Sequence, residues 1–174
     1  MKYLVKFFVV TCIALFCTAV SAEQKIVILD FKYVLNNSKA GKGAQDYLKK
    51  SFTDNAKKYN DMEKALKKEE KDLLTKKTVL SKEEYTKKTD TLRKKVIDFQ
   101  SQRRASIDKI ATQRAKSREI LIKNIDPILQ TYIKENNISL VIDKKYTLGG
   151  NPDNDITKII TDKLNKTLPS IKLK

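Results

Sequence analysis

Ile138-Ser139-Leu140-Val141-Ile142-Asp143 and its earlier counterpart Lys25-Ile26-Val27-Ile28-Leu29-Asp30-Phe31 decide how this chain is read. Both runs are short, apolar and rich in β-branched residues, which marks them as strands. Between them lies a lysine-dense stretch with no proline before Pro127. Its apolar residues recur at helical spacing, and it is long enough for two helices folded back on each other. The expected fold class is therefore mainly α with a small β body: a long antiparallel helical hairpin, resembling a coiled coil, that projects as an arm from a short-stranded base.

The hairpin can be traced residue by residue. The polar cluster Asn36-Asn37-Ser38 precedes the first long helix, with Ser38 the expected cap and Gly41 and Gly43 in its opening turns. From there Leu48, Phe52, Asn55, Tyr59, Met62, Leu66, Glu69 and Leu73 follow a three-four spacing, a heptad seam broken at Asn55 and Glu69. Ser81 followed by Glu84 is a capping box that starts the return helix near Lys82. Tyr85, Thr89, Leu92, Val96 and Phe99 carry the matching seam, which thins over 101–118. Phe52, Tyr59, Tyr85 and Phe99 fall on seam positions and are assigned to packing. Arms of about 35 residues would reach about 50 Å.

Apolar density returns from Ile120 to Ile133, where the helix re-enters the base; Pro127 inside this run predicts a kink or a restart capped by Asp126. Asn136-Asn137 closes the helix. After the second strand, Tyr146-Thr147-Leu148 is a further short strand by composition, and Gly149-Gly150-Asn151-Pro152 is a turn. Asp155 is the expected cap of a last helix with Ile156, Ile159, Ile160 and Leu164 on its apolar face, and a loose tail is expected from Lys166. The division that follows is a removed leader over 1–22, a β-containing body from 23–43 and 120–174, and an arm over 44–119 with its tip near 76–81.

The leader rests on Lys2 and Lys6, the apolar run Phe7 to Phe16, and small residues Val20 and Ala22 before Glu23, the pattern of a secretory signal peptide. Cys12 and Cys17 both lie within it, and bulky Phe16 before Cys17 argues against lipidation. The mature chain then has no cysteine, histidine or tryptophan, so disulfides cannot stabilise it. With the arm in solvent, only about 60 residues remain for a globular core, a marginal size for which oligomerisation is the expected remedy.

Charge narrows the partners. The formal charge of +16 falls to +14 once Lys2 and Lys6 leave with the leader, a field that favours acidic partners. A charge-rich helix is most often a solvated face, and pairs such as Glu63 with Lys67 fit that. The lysines of the distal arm are nevertheless in excess. Lys57, Lys64, Lys68, Lys71, Lys76, Lys77, Lys87, Lys88, Arg93 and Lys94 are the candidate contacts for a client or an anion. Gly41-Lys42-Gly43 is not a phosphate loop, because Asn36 and Gly43 stand where that motif needs glycine and a hydroxyl. Asn151, Asp153 and Asp155 have the spacing of calcium ligands, but Ile156 and Asp162 replace the required glycine and glutamate. Neither an enzyme nor a cofactor or metal is expected.

The opening Lys25-Ile26-Val27-Ile28-Leu29-Asp30 through Val34-Leu35-Asn36-Asn37-Ser38-Lys39-Ala40-Gly41-Lys42 to Leu48, and the close Leu140-Val141-Ile142-Asp143-Lys144 followed by Asp155-Ile156-Thr157 and Leu164-Asn165, resemble the Skp/OmpH family of periplasmic chaperones. The resemblance implies a homotrimer whose bases join into a small β-barrel, with Ile26, Ile28, Leu140, Ile142 and Ile159 in that trimer body. It implies three hairpins around a cavity that holds unfolded outer-membrane proteins in the periplasm without ATP. An anionic lipid or lipopolysaccharide surface is a further candidate partner, and export excludes nucleic acid as a physiological one. The competing reading is a structural coiled-coil scaffold of the cell envelope, which should have a stronger seam and no need of the strands.

Overall fold

The computed structural model describes residues 24–173, so the expected leader lies outside the described residues. Strand β1 (Lys25–Leu29) pairs in parallel with β2 (Ile138–Asp143), Ile26 opposite Leu140 and Ile28 opposite Ile142. Parallel strands cannot be joined by a tight turn; they need a long crossover. Here the crossover is the whole helical part between them: α1 (Phe31–Asn37), α2 (Lys39–Thr75) and α3 (Lys82–Glu135). A final helix, α4 (Thr157–Thr167), returns to the base. Among the described residues no helix is long and apolar enough to cross a membrane.

Alternation along the strands separates two faces. Val27 and Leu29 point into a core completed by Val34, Leu35, Leu121, Ile125, Ile156, Ile160 and Leu164. Ile26 and Ile28 lie on the other face with Leu140 and Ile142; Ile26 and Leu140 are exposed, and Ile28 and Ile142 are half-buried.

The entry into the hairpin is tightly built. Asp30 caps α1, its Oδ1 accepting from the Tyr33 N–H at 2.7 Å, and Ser38 caps α2, its Oγ accepting from the Gly41 N–H at 3.1 Å. The short α1 was not read from the sequence as a helix. Gly41 is forced by packing: a Cβ there would lie 2.0 Å from the Leu35 carbonyl oxygen, whereas one at Gly43 would meet nothing within 4 Å.

Four expectations are corrected. Pro127 does not restart the helix at Asp126; α3 runs unbroken through it. Pro127 is exposed, while Leu121 and Ile125 pin the same helix into the core. Tyr146-Thr147-Leu148 is not a strand. Asp143 accepts from the Lys145 N–H at 3.1 Å and turns the chain into a 3₁₀ turn over Lys144–Tyr146. Asp155 does not occupy the cap position of α4, which Ile156 holds, although its Oδ1 still accepts from the Thr157 N–H at 3.0 Å. The tail is not loose from Lys166, because Leu168 and Ile171 pack on the core.

The last helix staples both chain ends. The Ile156 N–H donates to the Ile28 carbonyl at 2.9 Å, the Asp30 N–H to Thr157 Oγ1 at 2.8 Å, and the Lys39 N–H to Asn165 Oδ1 at 2.7 Å. Lys144 Nζ meets Asp155 Oδ2 at 2.8 Å. Burial pushes the Asp155 carboxyl up, but hydrogen bonds from Lys144 and Thr157 outweigh it and hold it below the usual carboxylate range. The same bond holds the Lys144 ammonium above its usual range.

Replacing Gly41 with alanine should cost about 1–3 kcal/mol by overpacking. Gly43→Ala should instead stabilise by up to about 1 kcal/mol. Thermal unfolding of the two variants checks the opposite signs. Asp155→Asn should cost about 1 kcal/mol at neutral pH, a figure that allows for solvent screening of half-exposed Lys144. Because the folded carboxyl is depressed, that contribution is complete above the unfolded value of about 4 and is lost as pH falls through the lower folded value. The melting temperatures of wild type and variant should converge in acid; a gap unchanged from pH 7 into acid would contradict the assignment.

Candidate functional site

Helices α2 and α3 meet along one seam from the base to the tip between Thr75 and Lys82. Leu48, Tyr59, Leu92, Phe99 and Ile110 are its buried residues, with Met62, Leu66, Leu73, Tyr85 and Val96 half-buried. Tyr59 and Phe99 form its firmest contact, an edge-to-face pair at 6.1 Å, with the Tyr59 hydroxyl donating to the Gln102 carbonyl at 2.9 Å. Toward the base the buried positions include Gln113 and Ser117, so the seam turns polar there. Glu69, which breaks the heptad, lies outside the seam and bridges the helices by pairing with Lys95 at 2.6 Å. The Ser81 and Glu84 capping box is complete at the start of α3, and hydrogen bonds from Ser81 hold the Glu84 carboxyl below its usual range.

The two sides of this seam differ. On one side three grooves run end to end. The distal one is floored by Leu66, Leu73, Leu92 and Val96 and flanked by Leu74, Ile97 and Ile107. Ile107 also lines the middle groove, with Phe52, Tyr59 and Ile110, and Phe52 leads into the third, beside Leu35, Leu48 and Leu121 at the base. From Leu74 to Leu48 this trench covers 27 helical residues, about 40 Å at the usual rise. Phe52, Leu74, Ile97 and Ile107 are 62%, 59%, 64% and 56% exposed along it. On the other side the grooves are polar: Lys68, Lys76, Lys87 and Lys88 surround one near the tip, and Ser51, Asp54, Gln102 and Lys109 line one nearer the base.

The ten basic residues singled out from the sequence are all exposed, and the structure does not gather them into one site. Lys68, Lys76, Lys87 and Lys88 share the polar distal groove, whereas Arg93 lines the trench on the other side. Lys57, Lys64, Lys71, Lys77 and Lys94 line none of these grooves. In the base, Ile26, Ile28, Leu140 and Ile142 share the outer sheet face, and Ile159 is exposed on α4.

One seam assignment fails. Phe52, 62% exposed, sits at the edge of the seam and opens onto the trench beside Ile107 and Ile110. The trench itself went unseen in the heptad count. Its signal was available in the doublets Leu73-Leu74 and Val96-Ile97, since adjacent helical residues point about 100° apart and only one of each pair can face the seam.

Tyr59→Phe should cost about 1 kcal/mol through the lost hydroxyl bond. Phe99→Ala should cost about 3 kcal/mol through the cavity left in the seam. Hydrogen exchange should then quicken in the hairpin while amides of β1 and α1 keep their protection, since those belong to a separate core.

Comparison with known proteins follows the same outline. The model of a family described as outer membrane protein (OmpH-like) matches residues 25–164. No curated protein matches the chain. A crystal structure of a protein from Caulobacter crescentus, described as an outer membrane chaperone (OmpH-like), superposes with a TM-score of 0.78 at 19% identity, covering 87% of this chain and 89% of that one. At that identity the match speaks for the fold, a long helical arm on a small sheet.

Proposed function

The chain belongs to the OmpH-like family, and from that premise we propose that it is an ATP-independent periplasmic holdase that keeps unfolded outer-membrane proteins from aggregating before they insert. The observation that carries this reading is the hairpin, which offers a long exposed apolar trench within a strongly basic surface. An unfolded barrel protein is dangerous because its apolar strands pair with those of other chains. Many weak contacts along an apolar track cover such strands without demanding one sequence. Release then needs no nucleotide, because insertion into the membrane is downhill for the client.

In this reading residues 1–22 direct export, 44–119 form the holding arm, and 23–43 with 120–174 form the body. The outer sheet face of Ile26, Ile28, Leu140 and Ile142 supports assembly, since a two-stranded sheet with one apolar face open is marginal alone. Three copies joined through this face, with exposed Ile159 as a further contact, would set three arms around a shared cavity. The positive surface would draw in acidic clients and would also approach anionic lipid or lipopolysaccharide surfaces. The thin seam gives little support to the scaffold reading, which requires a strong one.

Light scattering tests the proposal. The mature chain should run as a trimer and, mixed with a urea-diluted outer-membrane barrel protein, should form one discrete soluble complex. A monomer or dimer that leaves the barrel protein to aggregate would overturn it. The capture rate should fall at least about tenfold as salt rises from dilute buffer to molar, because exposed charges are screened within a few ångströms there.

A further inference from the structure

The chain has 37 basic residues and only five of them are arginine: Arg93, Arg103, Arg104, Arg114 and Arg118. All five line the trench side of the hairpin. Arg93, Arg103 and Arg104 flank its distal reach, Arg103 also its middle, and Arg114 and Arg118 its base-proximal end. The grooves on the other side contain lysines as their only cations: Lys68, Lys76, Lys87, Lys88 and Lys109. A helix that needed only solubility or net charge would have no reason to sort its cations this way.

The two cations differ in what they bind. Lysine is a strongly hydrated point charge, while the guanidinium is planar, weakly hydrated, stacks on aromatic rings and grips a carboxylate with two parallel hydrogen bonds. The arginines are exposed, and among the described residues Arg104, Arg114 and Arg118 make no salt bridge. The trench walls also include Asp46, Glu63, Glu70 and Asp108, and Glu63 is already paired with Lys67 at 2.8 Å. Together with Lys49 and Lys67 the cations still outnumber these acids seven to four.

We propose that the trench is a track for one extended polypeptide segment, its apolar side chains on the floor and its carboxylates and aromatic rings held by the five arginines. A strand rises about 3.3 Å per residue, so about 40 Å of trench takes about a dozen residues. Alternation along a strand sends every second side chain down to the apolar floor and the others out to the guanidinium rim. The occupant is therefore a strand-forming segment with acidic residues between apolar ones. This inference rests on the holdase reading, naming the part of the arm that holds and the chemistry it selects.

The experiment compares the mature wild-type chain with two charge-conserving variants. One carries R93K, R103K, R104K, R114K and R118K; the other carries K68R, K76R, K87R, K88R and K109R. The probes are a urea-diluted barrel protein and a labelled twelve-residue peptide that alternates tyrosine or leucine with aspartate, with its asparagine counterpart as control. Net charge and long-range attraction are unchanged in both variants. Loss of the arginines should weaken binding of the aspartate peptide at least fivefold and of the asparagine peptide less than twofold. The lysine-to-arginine variant should bind as wild type does. Equal binding of the aspartate peptide by wild type and the arginine-free variant would overturn the inference, as would a changed mass of the arginine-free variant alone, which would give the trench to a second copy. Circular dichroism establishes that each variant is folded, and Ile97→Ser, which removes an exposed apolar residue flanking the floor, should weaken both peptides alike. Wild type that binds the peptide but not the barrel protein would remove the holdase reading and leave the trench intact.

Discussion

Parallel pairing of β1 with β2 is the constraint on which the rest depends. Two strands that must run side by side in the same direction, while lying at opposite ends of the main chain length, oblige everything between them to leave the base and return. The helices satisfy this by forming a hairpin, and α4 locks the closure by bonding to Ile28, Asp30 and Lys39. The inner sheet face is consumed by the core. Its outer face, with Ile26 and Leu140 exposed, is left open, so the face that closes the monomer and the face proposed for assembly belong to one small sheet.

The hairpin pursues the opposite economy. Its seam has just enough apolar residues to zip two helices, with Tyr59 against Phe99 as the clasp and polar Gln113 and Ser117 toward the base. Apolar residues that a globular domain would bury are instead set beside the seam, as Ile97 and Leu74 are. A narrow seam and an exposed apolar side suit a surface that must accept many partners weakly. In the proposed reading the basic field would act at longer range, raising the local concentration of acidic chains before any contact forms.

Much of this was legible in the sequence because the signals are local. The strands follow from β-branched runs, the start of α3 from Ser81 and Glu84, and the cap of α2 from Ser38, each of which the structure reproduces. What was not legible depends on tertiary context. Pro127 breaks an isolated helix, yet Leu121 and Ile125 are anchored in the core and carry α3 past it. Tyr146 to Leu148 has strand composition but pairs with no strand among the described residues, so the Asp143 turn prevails. Leu168 and Ile171 looked like tail because the surface that receives them is assembled from both chain ends. The basic residues were legible as a class but not as a site, since a count of lysines carries no information about which side of the seam each one occupies.

The most direct test of the central claim, that the arm holds an unfolded chain along one side of its seam, is photocrosslinking to a urea-diluted outer-membrane barrel protein. Residues 23–174 contain no cysteine, so single variants of that segment, Ile97→Cys and Ile107→Cys on the trench side and Lys68→Cys and Lys109→Cys on the other, can each carry one benzophenone. The account predicts strong adducts to the client from the two trench positions and weak ones from the other two. Equal crosslinking from both sides, or adducts chiefly from Lys68→Cys and Lys109→Cys, would contradict it.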